Sequence, residues 1–139
     1  MRQFTHQIHI ATQGKGLYEF TREIASWLQA HQPLTGLLTV FCQHTSASLL
    51  IQENADPDVV ADLADFFDRL VPEEIHLYRH TAEGPDDMTS HIRSALTQTQ
   101  LSIPVRNGKL ALGTWQGLYL WEHRLLPQNR RLVVHLQGE

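Results

Sequence analysis

The chain has 139 residues, of which 42% are hydrophobic and 19% are charged, a composition typical of one globular domain spanning residues 1–139. Its net charge of -4 and its scattered basic residues exclude the positive surface on which nucleic-acid proteins depend. No apolar run approaches the roughly 20 residues that cross a bilayer, so neither nucleic acid nor a membrane is an expected partner. The amino terminus lacks a signal pattern and Cys42 is the single cysteine, which predicts a cytoplasmic protein.

The first part of the chain predicts a strand followed by a helix. Residues 3–11 alternate between apolar and polar side chains, which is typical of a half-exposed strand. From Leu17 to Leu28 the apolar residues recur at helical spacing, which predicts an amphipathic helix. We expect this helix to end near His31, because Pro33 disfavours helical backbone in the residue before it.

The next part predicts a buried strand and a second helix. An apolar run rich in β-formers covers Gly36 to Cys42, and Thr45 to Gln52 is expected to continue it after a bend or bulge near His44. Asp56 followed by Pro57 is a typical helix start, because the carboxylate accepts from free N–H groups and proline fits the first turn. This helix is expected to bury a stripe of five apolar residues: Val60, Leu63, Phe66, Phe67 and Leu70.

A long connection from Val71 to Pro85 lacks periodicity, and ordered loops of this length often carry function. Asp86 or Asp87 is expected to cap a third helix that extends to about Thr99, with His91 one turn beyond Asp87. The inward face of this helix is expected to carry its apolar residues, Met88, Ile92, Ala95 and Leu96.

The last part of the chain predicts two pairs of strands. Asn107-Gly108 tolerates the positive φ of a tight turn and predicts a hairpin between residues 101–106 and 109–114. Residues 117–124 and 131–137 predict a second pair, joined by a polar turn. All elements together predict an α+β fold: a mostly antiparallel β-sheet or sandwich with about three helices, in a single compact domain.

Histidines in three segments are the first candidates for a functional site. His44 and His123 lie in runs that otherwise predict buried strand, where each ring nitrogen needs a partner. If these strands meet the helix that carries His91, three imidazoles can converge on one divalent cation, zinc or magnesium. The alternative is that they are hydrogen-bonded structural residues, because their spacing matches no compact metal motif. Cys42 is interpreted as a small buried hydrophobic residue.

Acidic, basic and aromatic residues supply further candidates. Five acids can hold magnesium against a pyrophosphate, although some are also helix caps: Glu53, Asp56, Asp58, Asp86 and Asp87. Three arginines can clamp a phosphate or pair with an acid such as Glu122: Arg124, Arg130 and Arg131. Trp121 is interpreted as a core residue or a stacking wall. A serine hydrolase is disfavoured, because no Gly-x-Ser-x-Gly elbow surrounds Ser46.

Four blocks of residues, in order along the chain, resemble the YjbQ-like family, described as secondary thiamine-phosphate synthases. The blocks are His44-Thr45-Ser46-Ala47-Ser48, Glu53 to Asp58, Gly84 to Met88 followed by His91, and Gly113 to Gly117 running into Glu122-His123-Arg124. The family motif usually has Pro-Ala where this chain has Thr89-Ser90. This change is expected to alter the start of the helix more than the site.

The resemblance implies a compact α+β subunit that forms a homotrimer, with sites near the subunit boundaries. It implies metal ligands at His44, His91 and His123, with Cys42 nearby. The catalytic residues expected on this basis are Glu53, Asp87, Glu122 and Arg124. Substrate binding is assigned to Ser46, Asn54, Asp56, Trp121 and Arg124.

The implied reaction joins a hydroxymethylpyrimidine diphosphate to a thiazole phosphate and releases pyrophosphate, so the expected partner is a small phosphorylated molecule. Such chemistry needs a cation to neutralise the leaving diphosphate and a wall that aligns the two rings. Two alternatives stay open. One is a metal-dependent hydrolase in which Glu122 or Asp87 is the base, and the other is a non-catalytic module that binds a small phosphorylated ligand.

Overall fold

The computed structural model describes residues 1–32 and 35–139. Its elements are β1 Arg2–Thr12, β2 Gly16–Glu19, α1 Thr21–His31, β3 Thr35–Cys42, β4 Ala47–Glu53, α2 Pro57–Leu70, α3 Asp87–Leu96, β5 Gln100–Arg106, β6 Lys109–Leu110, β7 Gln116–Glu122 and β8 Gln128–Gly138. A 3₁₀ turn at Ile75–Leu77 lies in the connection between α2 and α3. No helix in the described ranges is long and apolar enough to cross a bilayer.

Two antiparallel sheets share one apolar core. The larger sheet has the strand order β1-β8-β3-β5-β6, and the smaller sheet has the order β2-β7-β4. Inward-facing residues of both sheets, such as Leu38 and Leu120, belong to one buried cluster together with Ile24 of α1. The predicted α+β class, with mostly antiparallel sheets and helices packed on them, is confirmed.

The chain passes from the larger sheet to the smaller one between Cys42 and Ala47. β3 pairs with β5 and β8, whereas β4 pairs with β7. The bend that we predicted near His44 is therefore confirmed. The strand does not continue after the bend as we expected. His44 and Ser46 lie in a connection between two sheets and not on one face of a continuous strand.

One prediction about the start of a helix and one about strand pairing were wrong. Leu17 lies in β2, which pairs with β7, so the first helix begins only at Thr21. Residues 117–124 and 131–137 do not pair with each other, because β7 belongs to the smaller sheet and β8 to the larger one. Both errors have one cause: short-range periodicity does not reveal which distant strand a segment pairs with. The helix does end at His31, and Pro33 lies outside the described residues.

The predicted hairpin at Asn107-Gly108 is confirmed. Asn107 has a φ of 52° and Gly108 a φ of 75°, as a tight turn between antiparallel strands requires. The second strand of the hairpin is shorter than predicted, because β6 covers only Lys109–Leu110.

Helix α2 begins as predicted but does not bury its apolar stripe. Oδ1 of Asp56 accepts from the backbone N–H of Asp58 at 2.9 Å, which confirms the cap. No residue of α2 is buried, and Phe66 and Leu70 are 49% and 51% exposed. The sequence identified the apolar face correctly, but within the described part of this chain no element covers the side that carries Phe66 and Leu70.

Helix α3 turns a polar face inward, contrary to our prediction of an apolar one. Its buried residues are Asp87, Thr89, Ser90 and Arg93, while Leu96 is 56% exposed. The helix also ends at Leu96, before Thr99. The reason is that α3 packs over the polar ends of β4 and β7, where buried side chains need hydrogen-bond partners.

Candidate functional site

Three side chains around the start of α3 form the group of possible metal ligands found in the described part of the chain: His80, Asp87 and His91. Nε2 of His80 lies 2.5 Å from Oδ2 of Asp87, and Nε2 of His91 lies 3.2 Å from the same oxygen. The candidate ligand atoms all lie within 4.8 Å of one another. Asp87 and His91 share one face of α3 because they are one helical turn apart.

The orientation of the His91 ring is set by its other nitrogen. Nδ1 lies 3.0 Å from the carbonyl oxygen of Thr45, which can only accept, so Nδ1 carries the proton. In the neutral ring Nε2 then has a lone pair directed at the Asp87 carboxylate. Two acceptors repel each other unless a proton or a metal ion lies between them. Metal-ligating histidines have this arrangement, with one nitrogen donating to a carbonyl and the other facing the ion.

Arg124 holds Asp87 in place. Its Nη1 donates to Oδ1 of Asp87 at 2.5 Å, its Nε donates to Asp86 at 3.0 Å, and its Nη2 donates to the Glu83 carbonyl at 2.9 Å. Burial raises the pKa of Asp87, but the hydrogen bond from His80 and the charge of Arg124 outweigh it, so that the pKa of Asp87 is lowered. Arg124 therefore positions a carboxylate. Three of its five N–H groups are bonded to protein oxygens, so it is not the free phosphate clamp that we predicted.

His123 belongs to a closed ring of buried hydrogen bonds. Nε of Arg93 donates to Nδ1 of His123 at 3.2 Å, so Nε2 carries the proton and donates to Oγ of Ser48 at 2.9 Å. The hydroxyl of Ser48 lies 2.6 Å from that of Thr97, which donates to the Arg93 carbonyl at 2.8 Å. Neither nitrogen of His123 keeps a lone pair for a metal ion. This hydrogen-bond pattern also rules out His123 as a base for Ser48, because Nε2 is already protonated.

Burial lowers the pKa of His123 to about 3, and the charge of Arg93 acts in the same direction. An unfolded chain binds this proton below about pH 6.5, whereas the folded chain does so only near pH 3, so stability is lost as the pH falls through this window. We expect a loss of up to about 1.4 kcal/mol per pH unit in urea denaturation. His123→Gln, although less stable at neutral pH, should lose less on acidification. An equal loss in both proteins would assign the effect to another group.

Glu122 is an enclosed anchor for Arg130. The side chain is 0% exposed, and its two oxygens accept from Oγ1 of Thr12 at 2.6 Å, from Nε and Nη2 of Arg130 at 2.8 and 2.5 Å, and from the backbone N–H groups of His123 and Arg124 at 3.1 and 3.2 Å. A carboxylate surrounded by five donors has no lone pair free for a substrate proton. This geometry opposes the base that we predicted at Glu122.

His44 contacts two arginines of β8. Its Nε2 accepts from the backbone N–H of Arg131 at 2.8 Å, and its Nδ1 lies 3.3 Å from Nη1 of Arg130. Burial and the charges of Arg130 and Arg131 lower the pKa of His44, so the ring is neutral at pH 7. The predicted triad of His44, His91 and His123 is thus not the set of ligands that the structure brings together, and only His91 belongs to the observed cluster.

A cleft of about 730 Å³ lies beside the metal-ligand cluster, with His91 on its wall. His44, Ser46 and Arg130 also line it. Cys42 borders the cleft but is 1% exposed, and burial raises the pKa of its thiol. The interpretation of Cys42 as a buried hydrophobic residue is therefore confirmed.

Three predicted site residues lie at the other end of β4: Glu53, Asn54 and Asp56. β4 runs for 7 residues from Ala47, which is about 20 Å of extended chain. There Oε2 of Glu53 accepts from the backbone N–H of Asp56 at 3.3 Å, and Asn54 donates to Glu19 at 3.4 Å. Within one chain these residues are separated from the cleft.

Trp121 is part of the protein interior. It is 3% exposed, and its ring packs edge-on against Phe67, with 4.7 Å between the centroids. The guanidinium of Arg93 lies 5.8 Å from the Trp121 centroid. The core interpretation of this residue is confirmed, and the stacking role is not supported by its burial.

Sequence reasoning missed His80 of the metal-ligand cluster and Arg93, the partner of His123. His80 lies in the connection that we predicted to be functional, and its position seven residues before Asp87 was the available signal. Arg93 had no such signal, because its 2% exposure depends on the way α3 is turned.

Fold and site place this chain among two-sheet α+β proteins, and it has a His-Asp-His cluster beside a cleft. The chain belongs to the family described as "UPF0047 protein YjbQ-like", whose model matches residues 6–139, and the predicted resemblance is confirmed. It is 58% identical to the UPF0047 protein sll1880 of Synechocystis over 99% of this chain and 94% of that protein. It is 43% identical to the UPF0047 protein YjbQ of Salmonella typhimurium, over 98% of this chain and 99% of that one.

Solved structures show the same fold. The conserved hypothetical protein TT1486 from Thermus thermophilus superposes with a TM-score of 0.85 at 32% identity, covering 95% of this chain and 99% of that one. A YbjQ-like protein of unknown function from Sulfolobus solfataricus superposes with a TM-score of 0.86, covering 99% of this chain and 100% of that one. Its 19% identity makes it a likeness of fold alone.

Proposed function

We propose that this protein is a cytoplasmic, zinc-assisted enzyme that acts on a small phosphorylated molecule, with thiamine-phosphate synthesis as the reaction that the family resemblance implies. One observation carries the proposal. The bond from Nδ1 of His91 to the Thr45 carbonyl directs a lone pair on Nε2 toward the Asp87 carboxylate. His80 adds a second imidazole. Two nitrogens and one oxygen suit zinc better than magnesium, which prefers oxygen ligands.

Zinc with three protein ligands offers an open coordination position and neutralises charge on a phosphate oxygen. The side chains of the protein support this chemistry. Arg124 keeps Asp87 ionised and oriented, and the Thr45 carbonyl holds the His91 ring. The cleft beside His91 gives the substrate room next to the ligands. The hydrolase alternative is weaker, because Glu122 is enclosed by donors, and Asp87, the other residue considered as its base, is bonded to Arg124 and His80.

An activity assay with the two precursors tests the proposal. Zinc-loaded protein is expected to convert hydroxymethylpyrimidine diphosphate and thiazole phosphate into thiamine phosphate and pyrophosphate, and His80→Ala is expected to lose this activity. His76→Ala is the matched control, because this histidine lies in the same connection with its side chain 74% exposed. Release of phosphate from simple esters without synthase product would favour the hydrolase. Binding without turnover would favour the non-catalytic module.

The proposed homotrimer is supported by apolar surface on α2 and in the connection after it. Phe66, Leu70, Ile75 and Leu77 are 46–55% exposed, and apolar side chains grouped in this way are typical of a subunit interface. Light scattering is expected to give three times the mass of one chain, and Leu70→Ser is expected to reduce it. Leu126→Ser, which changes an exposed leucine elsewhere in the chain, is the control and should leave the mass unchanged.

A further inference from the structure

The proton on His44 can be assigned from its neighbours. The backbone N–H of Arg131 can only donate, so Nε2 of His44, 2.8 Å away, is its acceptor. The neutral ring therefore carries its proton on Nδ1. A 180° flip of the ring is not an alternative. It would put C–H groups where Nδ1 and Nε2 now lie and would break the bond to Arg131.

Nδ1 of His44 faces a second donor. Nη1 of Arg130 lies 3.3 Å from it, and a guanidinium nitrogen has no lone pair to offer. Two N–H groups thus face each other without an acceptor. In the described ranges, Nε and Nη2 of Arg130 donate hydrogen bonds to oxygen atoms, whereas Nη1 donates to none. Such a contact is unfavourable until an acceptor receives both hydrogen bonds.

Arg130 is held in this position by its other nitrogens. Its Nε and Nη2 bind Glu122 at 2.8 and 2.5 Å, and Nη2 also donates to Oγ of Ser46 at 2.9 Å. The plane of the guanidinium is therefore set, and within the described residues Nη1 is the corner without an acceptor. Because Ser46 accepts from Arg130, its own hydroxyl proton is available as a third donor.

We propose that an oxyanion binds between Nδ1–H of His44 and Nη1–H of Arg130, with the Ser46 hydroxyl as a third donor. All three residues line the cleft that also contains His91, so an anion bound there shares the cleft with one of the proposed zinc ligands. The donor pair calls for an anionic oxygen whatever the reaction is. The identification of that anion as a phosphate or pyrophosphate group of the substrate rests on the proposed function.

Two substitutions of His44 separate its donor from its acceptor. In His44→Gln the amide oxygen can replace Nε2 as the acceptor for Arg131, but the Nδ1 donor is lost. In His44→Asn the amide N–H can replace the Nδ1 donor, but the acceptor is lost. If His44 has a purely structural role, His44→Asn should weaken pyrophosphate binding more than His44→Gln does. If His44 binds the anion, His44→Gln should weaken it more.

Calorimetric titration of pyrophosphate into metal-free protein at constant ionic strength is the measurement. We expect pyrophosphate to bind His44→Gln about tenfold more weakly than wild type, and His44→Asn within about threefold of wild type. Nitrogen NMR of wild type should show the Nδ1–H tautomer of His44 with a shift on titration. No binding by wild type, equal affinity of the two variants, or the reverse order would overturn the proposal.

The outcome also separates this inference from the proposed function. If His44→Gln loses pyrophosphate affinity while zinc-loaded wild type turns over no substrate, the anion site stands and the proposed enzyme does not. If wild type turns over its substrates while His44→Gln binds pyrophosphate as well as wild type, the enzyme stands and the anion site does not.

Discussion

Replacing Glu122 by alanine is expected to lower the free energy of unfolding by about 3–5 kcal/mol, because it leaves a buried guanidinium without its counter-charge. Arg130 is 4% exposed, and both of its bonds to Glu122 would be lost. Thr12 would lose its hydrogen bond to Glu122 at the same time. Urea denaturation at neutral pH measures the change.

A matched control and a double variant sharpen this test. Glu74→Ala changes an acid whose side chain is 58% exposed, and its effect should stay within about 0.5 kcal/mol. The losses from Glu122→Ala and Arg130→Ala are not expected to add in the double variant, since either change alone already breaks the pair. A loss below about 1 kcal/mol in Glu122→Ala would mean that water replaces the carboxylate around Arg130.

Zinc affinity is expected to fall by more than about 100-fold in Asp87→Asn, because removal of even an outer partner of a metal ligand costs 10–100-fold. His80→Ala and His91→Ala should cause losses of the same order. Arg124→Met removes the donor that orients Asp87 and is expected to weaken zinc binding by about 10-fold. Competition with a chromogenic chelator at pH 7 measures all four proteins.

His123→Gln and His44→Gln distinguish the observed cluster from the triad predicted from the sequence. Both nitrogens of His123 are bonded to protein groups, and in His44 Nε2 accepts from Arg131 while Nδ1 carries the proton. Neither ring therefore has a lone pair free for zinc, and neither variant is expected to change zinc affinity when the protein is folded. If His123→Gln lost zinc and His80→Ala kept it, the sequence-based triad would be correct and the His80 cluster would be a hydrogen-bonded group only.

Local features of the fold were predictable from the sequence. The Asp56 cap, the Asn107-Gly108 turn and the strand at residues 3–11 all follow from preferences that a few neighbouring residues decide. The requirement that His44 and His123 find hydrogen-bond partners was also predictable, because an imidazole in an apolar run cannot be buried unpaired. The order of the family blocks along the chain allowed the family to be named.

The partners themselves were decided by the tertiary structure. Arg130 reaches His44 across 86 positions of sequence, and Arg93 reaches His123 across 30, because β7, β8 and α3 meet where β3 gives way to β4. His44 and His123 thus accept hydrogen bonds from protein donors, while His80 and Asp87 lie beside His91 in the metal-ligand cluster. Amino-acid patterns specify local backbone preference and which faces are apolar. Which polar ends of distant elements come together depends on strand pairing and helix orientation, and these minimise the cost of unpaired buried groups over the whole chain.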